Sequence, residues 1–378
     1  MPKTIKKVAV IGSGVMGSGI AAHCANAGCE VLLLDIVDDE SSDRSTIAKN
    51  AIKYMHKSNP EMLMQRKNSK LITPGNIDDD LHKLIDCDWV IEVIIENLDI
   101  KKKLYKKLAQ NIGKDTILSS NTSTIPRSEL ITEMTTDLSS RFLITHFFNP
   151  PRYLPLLEVV SSPEVNADVL DRFCTFADID LGKRVTICND SPGFIGNRLG
   201  IYFIQRAYKA TIDHGLSIEQ ADAMLGRPIG LPKTAVFALM DLVGIDLIPH
   251  VTGSLVSHLG ENDPFHKIAG VGKDTITSMI DEGYTGRKGK GGFYRLNREN
   301  GKKIKEARSL ITGEYKTAKR KAGFPSAKMG KRGIAEIMDC DDKGAEFVSD
   351  VLLDSLSYAA YIVPEVSEDI YAIDGAMK

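Results

Sequence analysis

The sequence predicts an α/β fold, with a doubly wound parallel sheet domain followed by a smaller all-helical domain. From residue 6 onward, short β-branched runs alternate with stretches of helical periodicity, which is the pattern of βαβ units. A glycine-rich turn, GSGVMG at residues 12–17, joins the first such run to the first helical stretch. After residue 190 the β-branched runs give way to leucine, alanine and methionine at helical spacing.

Seven short runs are predicted as strands of the sheet. They are Lys7–Ile11, Glu30–Asp35, Trp89–Val93, Thr116–Ser119, Phe142–His146, Leu157–Val160 and Arg184–Ile187. The helices that separate them are predicted at Met16–Ala27, Arg44–Met64, Asp99–Asn111 and Ala167–Leu181. Because strands and helices alternate, we expect the strands to lie parallel.

Helical periodicity dominates the second half, at Gly193–His214, Ser217–Leu225 and Thr234–His250. We therefore predict a sheet domain at residues 1–190, a helical domain at residues 191–298, and a connector with the start of a second helical repeat at residues 299–378. Residues 295–332 are lysine-rich with little apolar periodicity, so we predict a solvated connector there. Two short sequence matches also predict the start of a second, truncated helical repeat near Val351, whose apolar face would lack most of its partners.

Composition argues against several classes of protein. The chain has 378 residues and a formal net charge of −2, which argues against binding nucleic acid or an anionic membrane mainly through charge. Its apolar runs are shorter than the roughly 20 residues that a membrane-spanning helix needs. The six cysteines form no CxxC pair and no cluster with histidine, so we expect buried thiols and no metal site. Since the N-terminus has no signal-peptide pattern, we expect a cytoplasmic protein.

The glycine-rich turn predicts a dinucleotide site. Gly12 would make the tight turn, Gly14 would let the backbone reach the pyrophosphate, and Gly17 would let helix and strand pack closely. Asp35 ends the next strand, where it would accept hydrogen bonds from the adenosine ribose and repel a 2′-phosphate. This order of elements predicts a Rossmann-type domain that binds NAD rather than NADP. The expected cofactor contacts in the turn are Gly12, Gly14, Val15, Met16 and Gly17.

A histidine and a glutamate are candidates for acid–base chemistry. His146 ends a strand run, and Glu158 lies 12 residues later among aliphatic residues. Because a carboxylate buried without a partner is costly, a neighbouring strand could bring Glu158 to His146. His146 would then be a general base held in one tautomer by the carboxylate. The spacing is equally compatible with a core histidine and a structural carboxylate.

Polar residues follow two further strands. The run SSNTST at residues 119–124 ends a strand, and it could carry site hydroxyls or cap the helix near Ser128. Glu96 and Lys101 lie near the start of the predicted helix Asp99–Asn111, which follows the third predicted strand, and surface charges are the simplest interpretation there.

Together these motifs resemble the L-3-hydroxyacyl-CoA dehydrogenase family over about residues 5–295. The most specific part is HFFNP at residues 146–150 with a glutamate 12 residues after the histidine. The other matching segments are the glycine turn with Asp35, EVIIEN at 92–97, SNTS at 120–123, SPGFIGNR at 191–198 and the GFY that ends the stretch 286–294.

The resemblance implies NAD-dependent, reversible oxidation of an (S)-3-hydroxyacyl-CoA to the 3-oxoacyl-CoA in fatty-acid β-oxidation. It implies that His146 is the general base, that Glu158 orients it, and that Ser123 and Asn197 hydrogen-bond the substrate's 3-oxygen. The positions that would lie along the cofactor are Glu96, Lys101, Ser123 and Asn149.

The resemblance leaves several points open. Residues that contact CoA are not assigned, although Lys49, Lys53 and Lys57 are available. The chain resembles the long bacterial version of the family, in which an enoyl-CoA hydratase part follows, so we expect an excised or truncated N-terminal part. The expected small-molecule partner is the acyl-CoA substrate. We also expect the chain either to form a homodimer or to pair with the missing C-terminal part. Rival functions are a dehydrogenase of free 3-hydroxy acids and a catalytically silent NAD-binding protein.

Overall fold

The computed structural model describes residues 4–299, 302–319 and 323–378. The strands are β1 (Lys7–Ile11), β2 (Glu30–Asp35), β3 (Ile72–Asn76), β4 (Trp89–Glu92), β5 (Ile117–Ser120), β6 (Phe142–Phe147), β7 (Leu156–Val160), β8 (Arg184–Cys188), β9 (Tyr294–Glu299), β10 (Lys302–Arg308) and β11 (Tyr315–Thr317). The α-helices are α1 (Val15–Asn26), α2 (Thr46–Met55), α3 (Leu98–Ala109), α4 (Arg127–Leu130), α5 (Thr136–Ser139), α6 (Ala167–Thr175), α7 (Gly196–Asp213), α8 (Ile218–Met224), α9 (Phe237–Val243), α10 (Leu247–His258), α11 (Lys273–Asp281), α12 (Ile334–Met338), α13 (Lys343–Tyr361) and α14 (Ile370–Met377).

Two compact units make up the chain. The first comprises Met1–Ile195 with Val363–Lys378, and the second comprises Gly196–Ile362. Eight strands form one sheet in the first unit, in the order β3-β2-β1-β4-β5-β6-β7-β8. All neighbouring strands pair in parallel except β6 and β7, which are antiparallel. The predicted doubly wound α/β sheet is therefore confirmed, but the expectation of parallel strands was wrong for β6 and β7, because no helix separates them in the chain.

The core of the first unit lies between the sheet and the helices that cover it. β1 and β4 are almost entirely buried, and the Trp89 indole lies against the ring of Phe173, with 5.1 Å between the ring centroids. The indole nitrogen donates to Ser119 over 2.8 Å, so its polar atom is satisfied inside the core. This packing fixes the start of β4 in the core, and the candidate site residues lie towards the other ends of the central strands.

One strand of the sheet was not predicted. β3 pairs with β2 at the sheet edge, with the sequence ITPGN. Proline and glycine are poor strand formers, and proline is tolerated only where its missing N–H faces away from a neighbouring strand. The sheet edge meets that condition, which is why local sequence does not indicate this strand.

The tail of the chain differs from the expected second repeat. Residues 363–378 belong to the first unit, where α14 packs against β8 and buries Ile373 and Ala376. The Asn189 amide donates to the carbonyl of Val366 over 2.9 Å. An edge strand exposes unpaired backbone and apolar side chains, and α14 covers part of that edge.

The second unit is mainly helical, as predicted, but it also contains a sheet. β9, β10 and β11 form three antiparallel strands within the segment that we predicted as a solvated connector. That prediction was wrong because backbone pairing needs no continuous apolar stripe. The lysines and arginines of these strands alternate with inward residues such as Ala307, which is buried.

The helix α13 contains Val351, where we predicted a truncated repeat with an unpartnered apolar face, and its packing differs from that prediction. It lies against α7, and the rings of Tyr202 and Tyr358 stack with 3.8 Å between their centroids. Arg198 donates to the Tyr358 hydroxyl over 2.7 Å beneath this stack. The apolar face of α13 therefore has a partner within the second unit.

Among the described residues, no single helix is both long and apolar enough to cross a membrane. The helices α9 and α10 meet those criteria only when taken together, and the chain bends by 95° between them.

Candidate active site

Strand pairing brings His146 and Glu158 together. They are directly opposite each other on the antiparallel strands β6 and β7, so both side chains point to the same face of the sheet. His146 Nδ1 lies 2.7 Å from Glu158 Oε2. The histidine is 6% exposed and the glutamate is fully buried. The structure thus forms the pair that the sequence predicted as one of two alternatives.

The buried carboxylate of Glu158 is held at both oxygens. Its Oε1 accepts a hydrogen bond from the Ile195 amide over 3.0 Å, while Oε2 faces His146. A buried carboxylate acts as an acceptor, so His146 carries its proton on Nδ1 and leaves the lone pair on Nε2. Burial also raises the pKa of the neighbouring Cys188, and the charge of Glu158 adds to this effect. Cys188 is therefore a neutral thiol beside the pair.

Aromatic rings surround the imidazole. The rings of Phe148 and Phe194 lie 4.5 Å and 5.8 Å from the His146 ring, measured between centroids. Phe194 has a left-handed backbone, with φ of 50°. These rings limit how His146 can rotate, so Nε2 is kept in one direction.

The loop after β5 is tied to the strand of His146. The side-chain oxygen of Asn121 accepts a hydrogen bond from the Phe147 amide over 2.9 Å. The loop is thereby attached to the residue that follows His146. Sequence analysis included Asn121 only as part of the SNTS motif and assigned it no role.

Glu96 organises the same loop from the other side. Its Oε1 accepts hydrogen bonds from the amides of Ser123 and Thr124 at 3.0 and 3.1 Å and from the Thr122 hydroxyl at 2.5 Å. Burial works against ionisation of Glu96, but the Lys101 ammonium and these donors outweigh it and lower the pKa of the carboxyl. Glu96 is therefore a fixed anion that shapes the loop carrying Ser123.

This loop does not cap the helix near Ser128. Instead, the amides of Arg127 and Ser128 donate to the two carboxylate oxygens of Asp190 over 2.7 and 2.8 Å. The hydroxyls of Ser120, Thr122 and Thr124 donate to the buried or half-buried carboxylates of Glu92 and Glu96.

Lys101 is buried rather than a surface charge. Its ammonium lies 2.7 Å from Glu92 Oε1 and 3.3 Å from Glu96 Oε2, and its side chain is 1% exposed. The fully buried Glu92 also accepts hydrogen bonds from Tyr105 and Ser120 over 2.6 and 2.7 Å. Glu92 ends an apolar strand, and this position is the feature of the sequence from which the buried cluster could have been predicted. That Lys101 contacts the cofactor stays a prediction.

Two further predicted residues are placed without a test of their roles. Asn149 is exposed just after β6, and Asn197 lies in the first turn of α7 in the second unit. Both roles stay predictions. Among residues 4–299, 302–319 and 323–378, no group of three or more histidine, cysteine, aspartate or glutamate side chains could hold a metal ion.

The glycine turn has the shape that a dinucleotide requires. Gly12 has φ of +103°, and a Cβ at Gly17 would lie 1.8 Å from the Gly12 carbonyl oxygen, so neither position accepts a side chain. A Cβ at Gly14 would meet no atom within 4 Å. The backbone at Gly14 therefore borders open space at the N-terminus of α1, where a pyrophosphate is favoured.

Next to this turn lies a largely apolar cavity of about 540 Å³. Its walls include Ile36, Ile77, Ile94 and Ile100, and Asp35 is at its edge. Asp35 Oδ2 accepts hydrogen bonds from the amide and hydroxyl of Ser13, over 2.5 and 2.6 Å, which fixes the carboxylate. Apolar walls suit a flat adenine ring, and a fixed carboxylate suits ribose hydroxyls. These residues fit NAD.

Alanine substitutions in the turn separate folding from binding. Gly17→Ala is expected to lower Tm and NADH affinity together, since its Cβ would overlap the Gly12 carbonyl. Gly14→Ala is expected to leave Tm unchanged but to weaken NADH binding roughly 10–100-fold, because the methyl group keeps the phosphate from the backbone. Thermal unfolding and NADH fluorescence titration check both results. Equal losses of Tm in the two variants would contradict this division of roles.

Comparisons with known proteins identify the family of the two domains. Residues 7–191 match the family model described as "3-hydroxyacyl-CoA dehydrogenase, NAD binding domain", and residues 193–296 match the one described as its C-terminal domain. A "probable 3-hydroxyacyl-CoA dehydrogenase" of Deinococcus radiodurans is 41% identical over 78% of this chain and 84% of its own length. A crystal structure of 3-hydroxybutyryl-CoA dehydrogenase from Escherichia coli matches 79% of this chain and 61% of its own, at 30% identity and a TM-score of 0.65.

Some relatives are much longer than this chain. A "putative fatty acid oxidation complex trifunctional enzyme" of Rickettsia felis is 40% identical over the whole chain, which spans only 52% of it. The chain thus spans about half the length of several curated relatives that it matches. From the two matched domains and the extent of these similarities, we conclude that the chain belongs to the 3-hydroxyacyl-CoA dehydrogenase family, with an NAD-binding domain in its first unit.

Proposed function

We propose that the chain catalyses the reversible, NAD-dependent oxidation of an (S)-3-hydroxyacyl-CoA to the 3-oxoacyl-CoA in fatty-acid oxidation. The observation that carries the proposal is the 2.7 Å contact between His146 Nδ1 and the buried carboxylate of Glu158. It lies in the unit that also contains the dinucleotide cradle.

His146 would act as the general base. When the Nδ1–H group donates a hydrogen bond to Glu158, the lone pair on Nε2 can accept the proton of the substrate's 3-hydroxyl group. The imidazolium that results is stabilised by the Glu158 carboxylate, which is held in place by the Ile195 amide. In the reverse direction the imidazolium returns its proton to the 3-oxygen.

NAD supplies the hydride acceptor for C3 when it is bound. On the protein side, the backbone at Gly12–Gly17 would hold its pyrophosphate, and Asp35 would accept hydrogen bonds from its adenosine ribose. Glu96 holds the loop of Ser123 through the Ser123 backbone amide, and this supports our assignment of the Ser123 hydroxyl to the substrate's 3-oxygen. Asn197 is the second residue that we assign to this oxygen.

The test is turnover of acetoacetyl-CoA by the purified chain. We expect loss of NADH absorbance with acetoacetyl-CoA, and much slower loss when NADPH replaces NADH, because Asp35 disfavours a 2′-phosphate. Acetoacetate and a pantetheine thioester serve as comparison substrates. Faster turnover of free acetoacetate would identify a dehydrogenase of free 3-hydroxy acids, and NADH binding without any turnover would indicate a silent relative.

Glu158→Gln tests how the base is oriented. A glutamine amide can donate to Nδ1, which would place the histidine proton on Nε2 and remove the lone pair that accepts the substrate's proton. Loss of this charge-assisted hydrogen bond, about 1.5–3 kcal/mol, predicts turnover lowered roughly 10–100-fold with little change in NADH affinity. Steady-state kinetics and NADH titration measure the two quantities. Unchanged turnover would make Glu158 a structural residue only.

A further inference from the structure

A second cavity, of about 470 Å³, lies within the second unit. It is bordered by the loop that follows α11 and by β9 and β10. Five of its eleven lining residues are basic: Arg287, Lys290, Arg295, Arg298 and Lys305. We refer to it as the basic cavity.

Most of these basic groups have no carboxylate partner. Arg295 is neutralised by Glu306, whose Oε2 lies 2.6 Å from its Nε. Lys290 donates to a backbone carbonyl, that of Glu282, over 3.0 Å. Arg287, Arg298 and Lys305 form no ion pair within 4.0 Å with any carboxylate of the described residues. Within the described part of the chain, Arg287, Lys290 and Arg298 therefore have no carboxylate partner. The acids that act on Lys305 are Asp222 and Asp241, and neither forms an ion pair with it.

The acid in the wall, Asp241, favours the charged form of Lys305 but forms no ion pair with it. Asp241 is buried, and its two carboxylate oxygens accept the amides of Phe293 and Tyr294 over 2.7 and 2.8 Å. Burial raises the pKa of Asp241 to about 6. Its side chain is thus used to hold the start of β9 rather than to pair with a base.

Lys305 is held close to other cations. Its ammonium lies 3.9 Å from the centroid of the Tyr294 ring. Burial lowers the pKa of Lys305, and the charges of Lys233 and Arg287 act in the same direction, against Asp222 and Asp241. Cations gathered around a concave surface repel one another, and a bound anion relieves that repulsion.

We propose that the basic cavity binds a small phosphorylated anion of nucleotide size. Guanidinium groups such as Arg287 and Arg298 bind phosphate oxygens in pairs, and the ammonium of Lys305 adds a point charge. The volume is in the range of small-molecule sites. Leu296, which is 63% exposed, and the Tyr294 ring give an apolar wall for a base. Nothing in this argument depends on the catalytic pair.

Calorimetric titration of the whole chain tests the site. The protein is saturated with NADH, so that the dinucleotide cradle is filled, and titrated with inorganic pyrophosphate or with 3′,5′-ADP at low salt. We expect one site, weakened by added salt. Arg298→Gln and Lys305→Met, which remove a charge and keep most of the side chain, are each expected to weaken binding roughly 10–100-fold. The matched control is Lys316→Met, a 73% exposed lysine of β11 outside the cavity.

The two probes distinguish the sources of the anion. Tighter binding of 3′,5′-ADP, a fragment of CoA, would support a nucleotide ligand, and equal binding would support a site that recognises phosphate alone. The absence of binding heat for both probes would overturn the proposal, as would equal affinities in all variants. Since His146→Gln is expected to bind both probes like the parent chain, a failure of this site is distinguishable from a failure of the proposed reaction.

Discussion

Replacing His146 with glutamine is expected to lower turnover of acetoacetyl-CoA with NADH by about 10²–10⁴-fold, the usual contribution of a positioned acid–base group. Glutamine has a similar size but cannot exchange a proton at neutral pH. Its amide can still contact Glu158, so the buried carboxylate keeps a partner and the fold is preserved. Affinity for NADH should change little, because the cradle at residues 12–17 is formed by backbone.

Kinetics and NADH titration of the same preparation check this result. His258→Gln is the matched control, since that histidine is exposed on α10 and should leave turnover unchanged. Turnover of His146→Gln equal to that of the parent chain would remove His146 from the mechanism. A parallel loss of NADH affinity and Tm would instead indicate that the substitution damages the first unit.

Replacing Lys101 with methionine is expected to destabilise the first unit by about 3–5 kcal/mol, the usual cost of removing one partner of a buried ion pair. Methionine fills the space of the lysine stem, but the fully buried Glu92 then loses the ammonium that lies 2.7 Å from its Oε1. Glu96 loses the same cation, so the loop of Ser123 should become less ordered and turnover should fall as well.

Urea unfolding measures the first effect. Lys103→Met, an exposed position on the same helix, is the control for the change of residue type. The double variant Glu92→Gln with Lys101→Met should recover part of the stability, because it no longer buries an unpaired charge. A Lys101→Met variant as stable as the Lys103→Met control would show that Tyr105 and Ser120 alone satisfy Glu92.

The sequence alone predicted those motifs whose residue types are required by local backbone geometry or by burial. The glycine turn has its particular residues because a side chain at Gly12 or Gly17 would collide with backbone, so the residue type alone reports the geometry. The seven predicted strands all exist, because buried parallel strands need continuous apolar runs. The aliphatic neighbours of Glu158 likewise indicated a carboxylate that required a partner.

Other features depended on partners that are far away in the chain. From the sequence, Lys101 was interpreted as a surface charge on a helix. Its contacts with Glu92 and Glu96 form only in the folded chain. β3 forms a strand because it pairs with β2 at the edge of the sheet. The sheet of β9–β11 forms by pairing between lysine-rich segments, and their sequence pattern does not predict that pairing. The grouping of five basic side chains in the basic cavity is also visible only after folding.

Local residue patterns were sufficient to predict the sheet-then-helix architecture, the cradle for a dinucleotide and the acid–base candidates, because steric and hydropathic requirements act on neighbouring residues. The facing positions of His146 and Glu158, the burial of Lys101 and the place of residues 363–378 in the first unit follow from the fold. The physical reason is that strand register and charge pairing depend on distances between segments, and local residue patterns do not encode those distances.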